Sequence, residues 1–218
     1  MKYPILLPNI FNYPFTYESE KKLKVGQYVI VPFGKTNLTG LVWHKFEKDN
    51  KKNYKIKKII KDLNIPPLNL STIKFLEWFS VYNLIPLGMS LKLHLLSNEA
   101  VLKYDHNSYE LYRENLLPKN FNLTQEQKNA LIEIRKSKKK FRVHLLQGTT
   151  GSGKTLVYFE SLAETINSGY QGLILLPEIG LTFEFEKKFK EYFGFNPAIW
   201  HSGVSKKNKK LIWSGLSN

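Results

Sequence analysis

Residues Phe141–Ile166 read FRVHLLQGTTGSGKTLVYFESLAETI. An apolar run comes first, a break rich in glycine and threonine follows, and an amphipathic pattern then resumes. This order predicts a buried strand, a tight loop and a helix that begins at Lys154. The break, Gly148 to Thr155, fits the pattern G-x-x-x-x-G-K-[ST] at every fixed position.

This break predicts a phosphate-binding loop. Glycines let the backbone curl until several N–H groups converge on one phosphate, and the dipole of the following helix adds to the attraction. Lys154 places a positive charge on the β- and γ-phosphates, and the hydroxyl of Thr155 can ligate Mg²⁺. We therefore expect a nucleoside triphosphate with Mg²⁺, bound by the whole loop: Gly148, Thr149, Thr150, Gly151, Ser152, Gly153, Lys154 and Thr155.

Two flanking segments extend this hypothesis. In NLTQEQ, Thr124 and Gln127 have the spacing of a helix capping box. Gln127 therefore either only caps a helix or also reads the edge of an adenine with its amide, and the sequence leaves both open. In LLPEIGLT, a strand, a proline turn and a helix start end at Thr182, whose surroundings could bind a phosphodiester backbone.

The second half as a whole predicts an α/β architecture. Helices are expected in TQEQKNALIEIRKS, from Lys154 to about Ser168, over Leu181–Phe193 and at the lysine-rich end. Buried strands are expected in FRVHLL and GLILLP, and a short strand and turn in NPAIWHSG. Strands that alternate with helices of this length predict βαβ units and a parallel sheet.

The first half has a different pattern and is β-rich. GQYVIVPFG, LTGLVWHKF and YKIKKIIK predict short strands, whose spacing favours a small barrel or a sandwich. A helix over Ser71–Asn83 with Ser71 as its N-cap, and a second within Leu87–Leu96, are expected to follow. Residues 98–121 are polar and weakly patterned, and we interpret them as a linker.

Composition narrows the function classes. The 218 residues include 33 Lys and Arg against 18 Asp and Glu, a formal charge of +15, so a polyanion is the first partner to consider. Cysteine is absent, and the five histidines lack metal-ligand spacing, so we predict no zinc ligands in this chain. The start carries no signal-peptide cleavage site, and the apolar stretch Leu84–Leu96 is too short to span a bilayer. We expect a soluble cytoplasmic protein without membrane contact.

The order of the motifs resembles one helicase family. LTQEQ, GTTGSGKT, LLPEIGLT and WHSG follow one another as in the first motor lobe of the PriA family, superfamily 2 helicases of bacterial replication restart. LPNIFNYPF and VGQYVIVPFGK resemble the start of the family's 3′ DNA-end-binding domain. The resemblance implies a mixed fold with an end-binding domain over residues 1–97, a linker over 98–121 and a partial RecA-like ATP-binding lobe over 122–218.

The resemblance also implies an activity, partners and site residues. An ATP-dependent 3′-to-5′ DNA helicase that recognises stalled or abandoned forks and initiates primosome assembly is expected. Its partners would be forked and single-stranded DNA with 3′ ends, other primosome proteins and single-strand-binding proteins. ATP and Mg²⁺ would be held by the loop, with Lys154 and Thr155 as catalytic residues and Gln127 on the adenine. Glu178 and Thr182 would neighbour the single strand, and the DNA-end pocket would contain Phe11, Asn12, Gly34 and Lys57.

The sequence departs from the family pattern in three ways. About 25 residues stand where a winged-helix domain is usual. A DEEH-like segment, the second motor lobe and the cysteine-rich zinc-binding insert do not follow the motifs. The acidic residue expected after the first phenylalanine of the pocket is Asn12 here. We therefore expect an N-terminal fragment that is catalytically incomplete, with zinc only in the missing part of the family pattern.

Two alternatives to an active helicase stay open at this point. A chain that binds DNA and nucleotide without turnover fits the missing carboxylates, because hydrolysis needs groups that hold Mg²⁺ and orient water. A small-molecule kinase would also use a phosphate loop, but the basic, β-rich first half and LLPEIGLT disfavour it.

Overall fold

The computed structural model describes residues 1–47, 55–95, 122–136, 141–177 and 180–216, without the side chains of 180–182. The described residues form two compact units. The first unit takes in those within 1–110 and 205–218, and the second unit those within 111–204. The predicted linker over 98–121 lies outside the described residues, so the domain boundaries at 97 and 122 stay predictions.

A six-stranded sheet forms the first unit. Its strands are β1 (Lys2–Leu6), β2 (Phe15–Glu18), β3 (Tyr28–Phe33), β4 (Thr36–Val42), β5 (Lys57–Lys58) and β6 (Lys61–Asp62). Their order is β5-β2-β1-β4-β3-β6, so β5 and β6 lie at opposite edges although only Ile59 and Ile60 separate them. The N–H of Ile59 donates to Glu18 at one edge, and that of Ile60 to Ile30 at the other, both at 2.8 Å. The sheet therefore curls back on itself, as the small-barrel prediction requires.

Both faces of this sheet are buried. Successive residues of a strand point to opposite faces. Accordingly, Leu6, Tyr28 and Leu41 enter one hydrophobic cluster, whereas their neighbours Ile5, Val29 and Val42 enter another. The cluster around Val29 consists of residues 3–59, and the cluster around Tyr28 also receives the helices that follow the sheet. Two covered faces explain why these strands have near-continuous apolar sequences.

Two helices follow the sheet, α1 (Leu70–Tyr82) and α2 (Leu87–Leu95). They bury Ile73, Leu76 and Leu91, among others, in the cluster around Tyr28. The predicted N-cap at Ser71 is wrong. Asn69 caps α1, since its side-chain oxygen accepts the N–H of Thr72 at 2.8 Å. Asn caps as well as Ser does, and with Asn69 as the cap the helix begins at Leu70.

A third helix, α6 (Lys206–Leu216), completes the first unit. Trp213 is 6% exposed and lies in the same cluster as Tyr28. Its indole N–H donates to the carbonyl of His94 at 3.1 Å, and its ring lies 6.0 Å from that of Tyr28 and 6.2 Å from that of His94. The helix was expected from the sequence, but this packing partner was not.

The second unit contains three helices within its described residues: α3 (Gln125–Arg135), α4 (Lys154–Asn167) and α5 (Gly180–Phe193). The stripe Phe185, Phe189 and Phe193 on α5, spaced four residues apart, packs around Phe159 of α4. The hydroxyl of Tyr192 donates to the buried carboxylate of Glu160 at 2.7 Å, which gives that carboxylate a polar partner inside the aromatic cluster.

The strands predicted for this unit are wrong within the described residues. FRVHLL, GLILLP and NPAIWHSG contain no strand. Phe141, Val143 and Leu145 are 84–95% exposed, and Leu173 and Leu175 are 82–84% exposed. A strand forms only when a neighbouring strand takes its N–H and C=O groups. An apolar sequence indicates a tendency to be buried, but it does not show that a pairing strand is present. The predicted parallel sheet is therefore not formed by the described residues of this unit.

Candidate nucleotide and DNA-end sites

The glycine-rich loop adopts the curl that its sequence predicts. Gly151 and Gly153 have φ values of 82° and 78°, in the left-handed region where glycine is favoured. A turn closes inside the loop, because the N–H of Ser152 donates to the carbonyl of Thr149 at 3.2 Å. Gly153 immediately precedes α4, whose first turn carries no acidic side chain. The loop therefore delivers the chain to a helix N-terminus that favours an anion.

Lys154 folds back across this loop. Its ammonium donates to the carbonyl of Gly148 at 2.6 Å and to that of Thr149 at 2.8 Å. Thr155 follows in the first turn of α4. Backbone N–H groups at the helix start, one ammonium and one hydroxyl are the donors and metal ligand that a triphosphate with Mg²⁺ requires. The residues present fit that cofactor, which would supply the phosphates and the divalent charge.

Gln127 contacts the same loop. Thr124 and Gln127 form the predicted capping box: the Thr124 side chain accepts the N–H of Gln127 at 3.3 Å, and the Gln127 Oε1 accepts the N–H of Thr124 at 3.0 Å. The Gln127 Nε2 also donates to the carbonyl of Ser152 at 3.1 Å. The capping role is confirmed, and adenine reading stays a prediction.

An ion pair that sequence reasoning missed ties α3 to α4. The Nε of Arg135 donates to Glu164 at 2.6 Å. The two residues are 29 positions apart, and no motif connects them. Only the packing of α3 along α4 brings them together, so the sequence carries no local signal for this pair. With Gln127 near one end and Arg135 near the other, α3 is fastened to the loop and its helix at two points.

In the first unit, Phe11 lies in an aromatic cluster. Its ring centroid is 5.5 Å from that of Tyr13, 5.4 Å from that of Phe15 and 6.5 Å from that of Phe33. Gly34 follows Phe33, has φ +60° and faces open space. The structure therefore brings two predicted pocket residues, Phe11 and Gly34, to the same end of the sheet.

Asn12 has a structural contact that the sequence did not indicate as such. Its Oδ1 accepts the N–H of Leu87 at 2.9 Å, and the carbonyl of Phe11 accepts that of Gly88 at 3.0 Å. Asn12 is nevertheless exposed. The side-chain oxygen is thus used at the start of α2, while the amide nitrogen remains on the exposed side chain.

Lys57 lies on β5, opposite Tyr17 of β2. Its neighbour Lys58 donates to Glu20 at 2.8 Å, which raises the pKa of Lys58 and lowers that of Glu20. Lys57 is exposed, and no ion pair within the described ranges involves it. Glu178 lies outside the described residues, and Thr182 lies in α5 with its side chain undescribed. The roles of Lys57, Glu178 and Thr182 in DNA binding stay predictions.

Two family models match this chain. One, described as a 3′DNA-binding domain (3′BD) of PriA, matches residues 4–95. The other, described as the res subunit of a type III restriction enzyme, matches residues 120–215. The chain is also 34% identical over 214 residues to the replication restart protein PriA of Rickettsia conorii. The chain belongs to the PriA family.

Other PriA relatives agree with this assignment. That of Rickettsia felis is 37% identical over 216 residues, and that of Bacillus subtilis is 36% identical over 126. The two Rickettsia alignments cover 97% of this chain and 32% of each Rickettsia protein. The Bacillus alignment covers 54% of this chain and 15% of the Bacillus protein. The chain thus spans about a third of the length of the Rickettsia relatives. Its mixed fold joins the curled sheet to a helicase-like region that corresponds to part of a RecA-like lobe.

None of the helices in the described residues combines the length and apolar content that crossing a bilayer needs. In the same ranges, no three His, Asp or Glu side chains cluster in a way that could hold a metal ion.

Proposed function

We propose that this chain supplies the DNA-end-binding and ATP-binding parts of a 3′-to-5′ helicase of replication restart. The helicase would recognise stalled or abandoned forks and initiate primosome assembly. Its partners would be forked and single-stranded DNA with 3′ ends, primosome proteins and single-strand-binding proteins, with ATP and Mg²⁺ as cofactors. One observation carries the proposal: a phosphate loop curled at Gly151 and Gly153 leads into a helix N-terminus on the same chain as the 3′DNA-binding match.

The proposal assigns these roles to residues. The loop from Gly148 to Thr155 holds the phosphates, with Lys154 as the cation and Thr155 as the Mg²⁺ ligand. Phe11 stacks on the terminal base of a DNA strand, with Asn12, Gly34 and Lys57 around it. Exposed or half-buried aromatic rings beside cations are the groups that bind single-stranded nucleic acid without regard to sequence. The formal charge of +15 supports a polyanionic partner.

A second candidate is a module that binds DNA and nucleotide without turnover. One observation favours it. The segment before the loop, which includes Phe141 and Val143, is exposed instead of held in a sheet. Among the described residues, the side chains that hold the loop are Gln127 of α3 and Lys154 of α4. These contacts are compatible with phosphate binding without turnover.

ATP hydrolysis by residues 1–218, with and without 3′-tailed DNA, separates the two candidates. Lys154→Ala should weaken binding of an ATP analogue about ten- to hundredfold, because a charge-assisted contact contributes about 1.5–3 kcal/mol. Lys128→Ala, an exposed cation on α3, is the control and should change nothing. DNA-stimulated hydrolysis that Lys154→Ala abolishes supports the helicase. Binding of analogue and DNA without hydrolysis supports the module, and binding of neither rejects both.

A further inference from the structure

The side-chain amide of Gln127 is engaged on both sides. Its Oε1 accepts the N–H of Thr124 at 3.0 Å, and its Nε2 donates to the carbonyl of Ser152 at 3.1 Å. The first bond belongs to the capping box of α3, and the second crosses to the phosphate loop. Gln127 thus connects the start of one helix to the loop that begins another.

The approach between Gln127 and the loop is close. A Cβ added at Gly153 would lie 2.3 Å from the Gln127 Nε2, well inside contact distance. Gly153 also has a φ of 78°, which side-chain-bearing residues rarely adopt. The absence of a side chain at Gly153 is therefore needed twice, for the backbone conformation and for the position of Gln127.

The bond to Ser152 orients a peptide group of the loop to which the proposed function assigns phosphate binding. In a trans peptide the C=O and N–H point in opposite directions, and the described chain has no cis peptide bonds. When Gln127 holds the Ser152 carbonyl, the N–H of Gly153 points away from Gln127. A loop that binds phosphate must present its N–H groups and keep its carbonyls turned away. Lys154 donates to two other carbonyls of the loop, those of Gly148 and Thr149.

We infer that Gln127 is a positioning residue for the phosphate loop: it fixes the Ser152–Gly153 peptide and thereby acts on the phosphates of any nucleotide, whatever its base. The inference rests on the proposed nucleotide-binding function of the loop. It differs from adenine reading, because a residue that reads adenine affects only ligands that carry that base. The two roles therefore separate with ligands that lack the base.

The test measures binding of ATP, GTP and inorganic tripolyphosphate to residues 1–218 by calorimetry. Gln127→Glu is the informative variant. Glutamate keeps an oxygen that accepts the N–H of Thr124, as in an ordinary capping box, but it cannot donate to Ser152. We expect all three ligands to bind about tenfold more weakly, with the ratio of ATP to GTP affinity unchanged.

Two controls separate this role from charge and from helix stability. Gln125→Glu adds the same charge to the first turn of α3, where, among the described residues, the side chain of Gln125 donates to Asn129 of the same helix. Thr124→Ala removes the hydroxyl of the capping box and leaves the bond to Ser152. Both variants should bind tripolyphosphate within about twofold of the unmodified chain, although Thr124→Ala should melt at a lower temperature.

The result that overturns the inference is an unchanged tripolyphosphate affinity in Gln127→Glu, whether or not ATP affinity falls. An equal loss in Gln125→Glu overturns it as well, since charge alone would then account for the effect. If the unmodified chain binds none of the three ligands, the proposed nucleotide site fails, and the role of Gln127 fails with it. Circular dichroism of each variant shows whether the helices are intact.

Discussion

The two units differ in whether their apolar, strand-like sequences form strands in the structure. In the first unit, every described strand has a partner, and the six residues 57–62 bridge both edges of the sheet. In the second unit, FRVHLL and GLILLP have apolar sequences of the same kind but form no strand and expose their side chains. The helices of both units formed where the sequence predicted them. A helix satisfies its own backbone, whereas a strand depends on a neighbour, and this dependence separates the two outcomes.

The largest effect that this comparison predicts is on proteolysis. We expect chymotrypsin to cleave after Phe141 and Leu145 at least about a thousandfold faster than after Tyr82, a ratio that corresponds to about 4 kcal/mol of local opening. Tyr82 is 72% exposed but lies in α1, so its backbone must open before it is cut. Mass spectrometry of the first cleavage products would measure the ratio. Equal rates at the two places would show that FRVHLL is structured in solution.

The next prediction concerns α6 and the first unit. Trp213→Ala should reduce the free energy of unfolding of that unit by about 3 kcal/mol, because it removes a buried indole and its bond to His94. Trp78→Ala is a control in the same unit, since Trp78 is 53% exposed, and should cost less than about 1 kcal/mol. Urea unfolding followed by circular dichroism would measure both.

Amide hydrogen exchange would show which elements lose stability in Trp213→Ala. Amides of β3 and β4 should exchange faster in Trp213→Ala, because Tyr28 and Leu41 share a cluster with Trp213. Amides of α4 belong to the second unit and should be unaffected. Unchanged exchange in β3 and β4 would mean that α6 does not pack on the first unit in solution.

A smaller effect is expected from pH. His94 is partly buried, and this burial lowers its pKa because it disfavours the charged form; its Nε2 lies 2.9 Å from the hydroxyl of Tyr28. Unfolding restores the ordinary pKa of about 6.5, so the unfolded chain binds a proton that the folded chain does not. The stability of the first unit should be complete above pH 6.5 and fall as the pH drops below it, by at most about 1.4 kcal/mol per pH unit.

The control for this prediction is His94→Gln, which keeps a polar side chain beside Tyr28 but does not titrate. Urea unfolding from pH 7.5 to pH 5 would be compared between the two proteins, because carboxylates contribute to both curves equally. The difference between the curves isolates His94. Parallel curves would show that the pKa of His94 does not change on unfolding, contrary to the prediction.

Whether the sequence predicted a contact depends on how far apart its two residues lie along the chain. The capping box at Thr124 and Gln127 and the helix from Lys154 depend on residues a few positions apart, and sequence patterns indicate them. The contact of Gln127 with Ser152, the pair Arg135–Glu164 and the packing of Trp213 against His94 join residues 25–119 positions apart. These contacts depend on the assembled fold, so no local pattern carries them.

The last prediction tests whether Asn12 contributes to DNA-end recognition or only stabilises the first unit. The Oδ1 of Asn12 accepts the N–H of Leu87, so its amide nitrogen, a donor, is the group left for a DNA end. A donor suits a 3′-phosphate, which only accepts hydrogen bonds. In Asn12→Asp, one carboxylate oxygen can keep the bond to Leu87 while the other presents an acceptor and a negative charge. We expect Asn12→Asp to shift the ratio of 3′-hydroxyl to 3′-phosphate affinity about tenfold toward the hydroxyl, about 1.4 kcal/mol.

Fluorescence anisotropy with oligonucleotides that end in a 3′-hydroxyl, a 3′-phosphate or a 3′-hydrogen would measure this ratio. Asn12→Ala serves as the control for the structural bond: it should lower the stability of the first unit by about 1 kcal/mol and favour neither end, because it offers neither donor nor acceptor. Phe11→Ala should weaken all three ends together, since stacking does not depend on the terminal group. If Asn12→Asp leaves the ratio unchanged while Asn12→Ala is destabilised, Asn12 serves only the start of α2. The DNA end must then be recognised by other residues of the unit, of which Lys57 is the first to test.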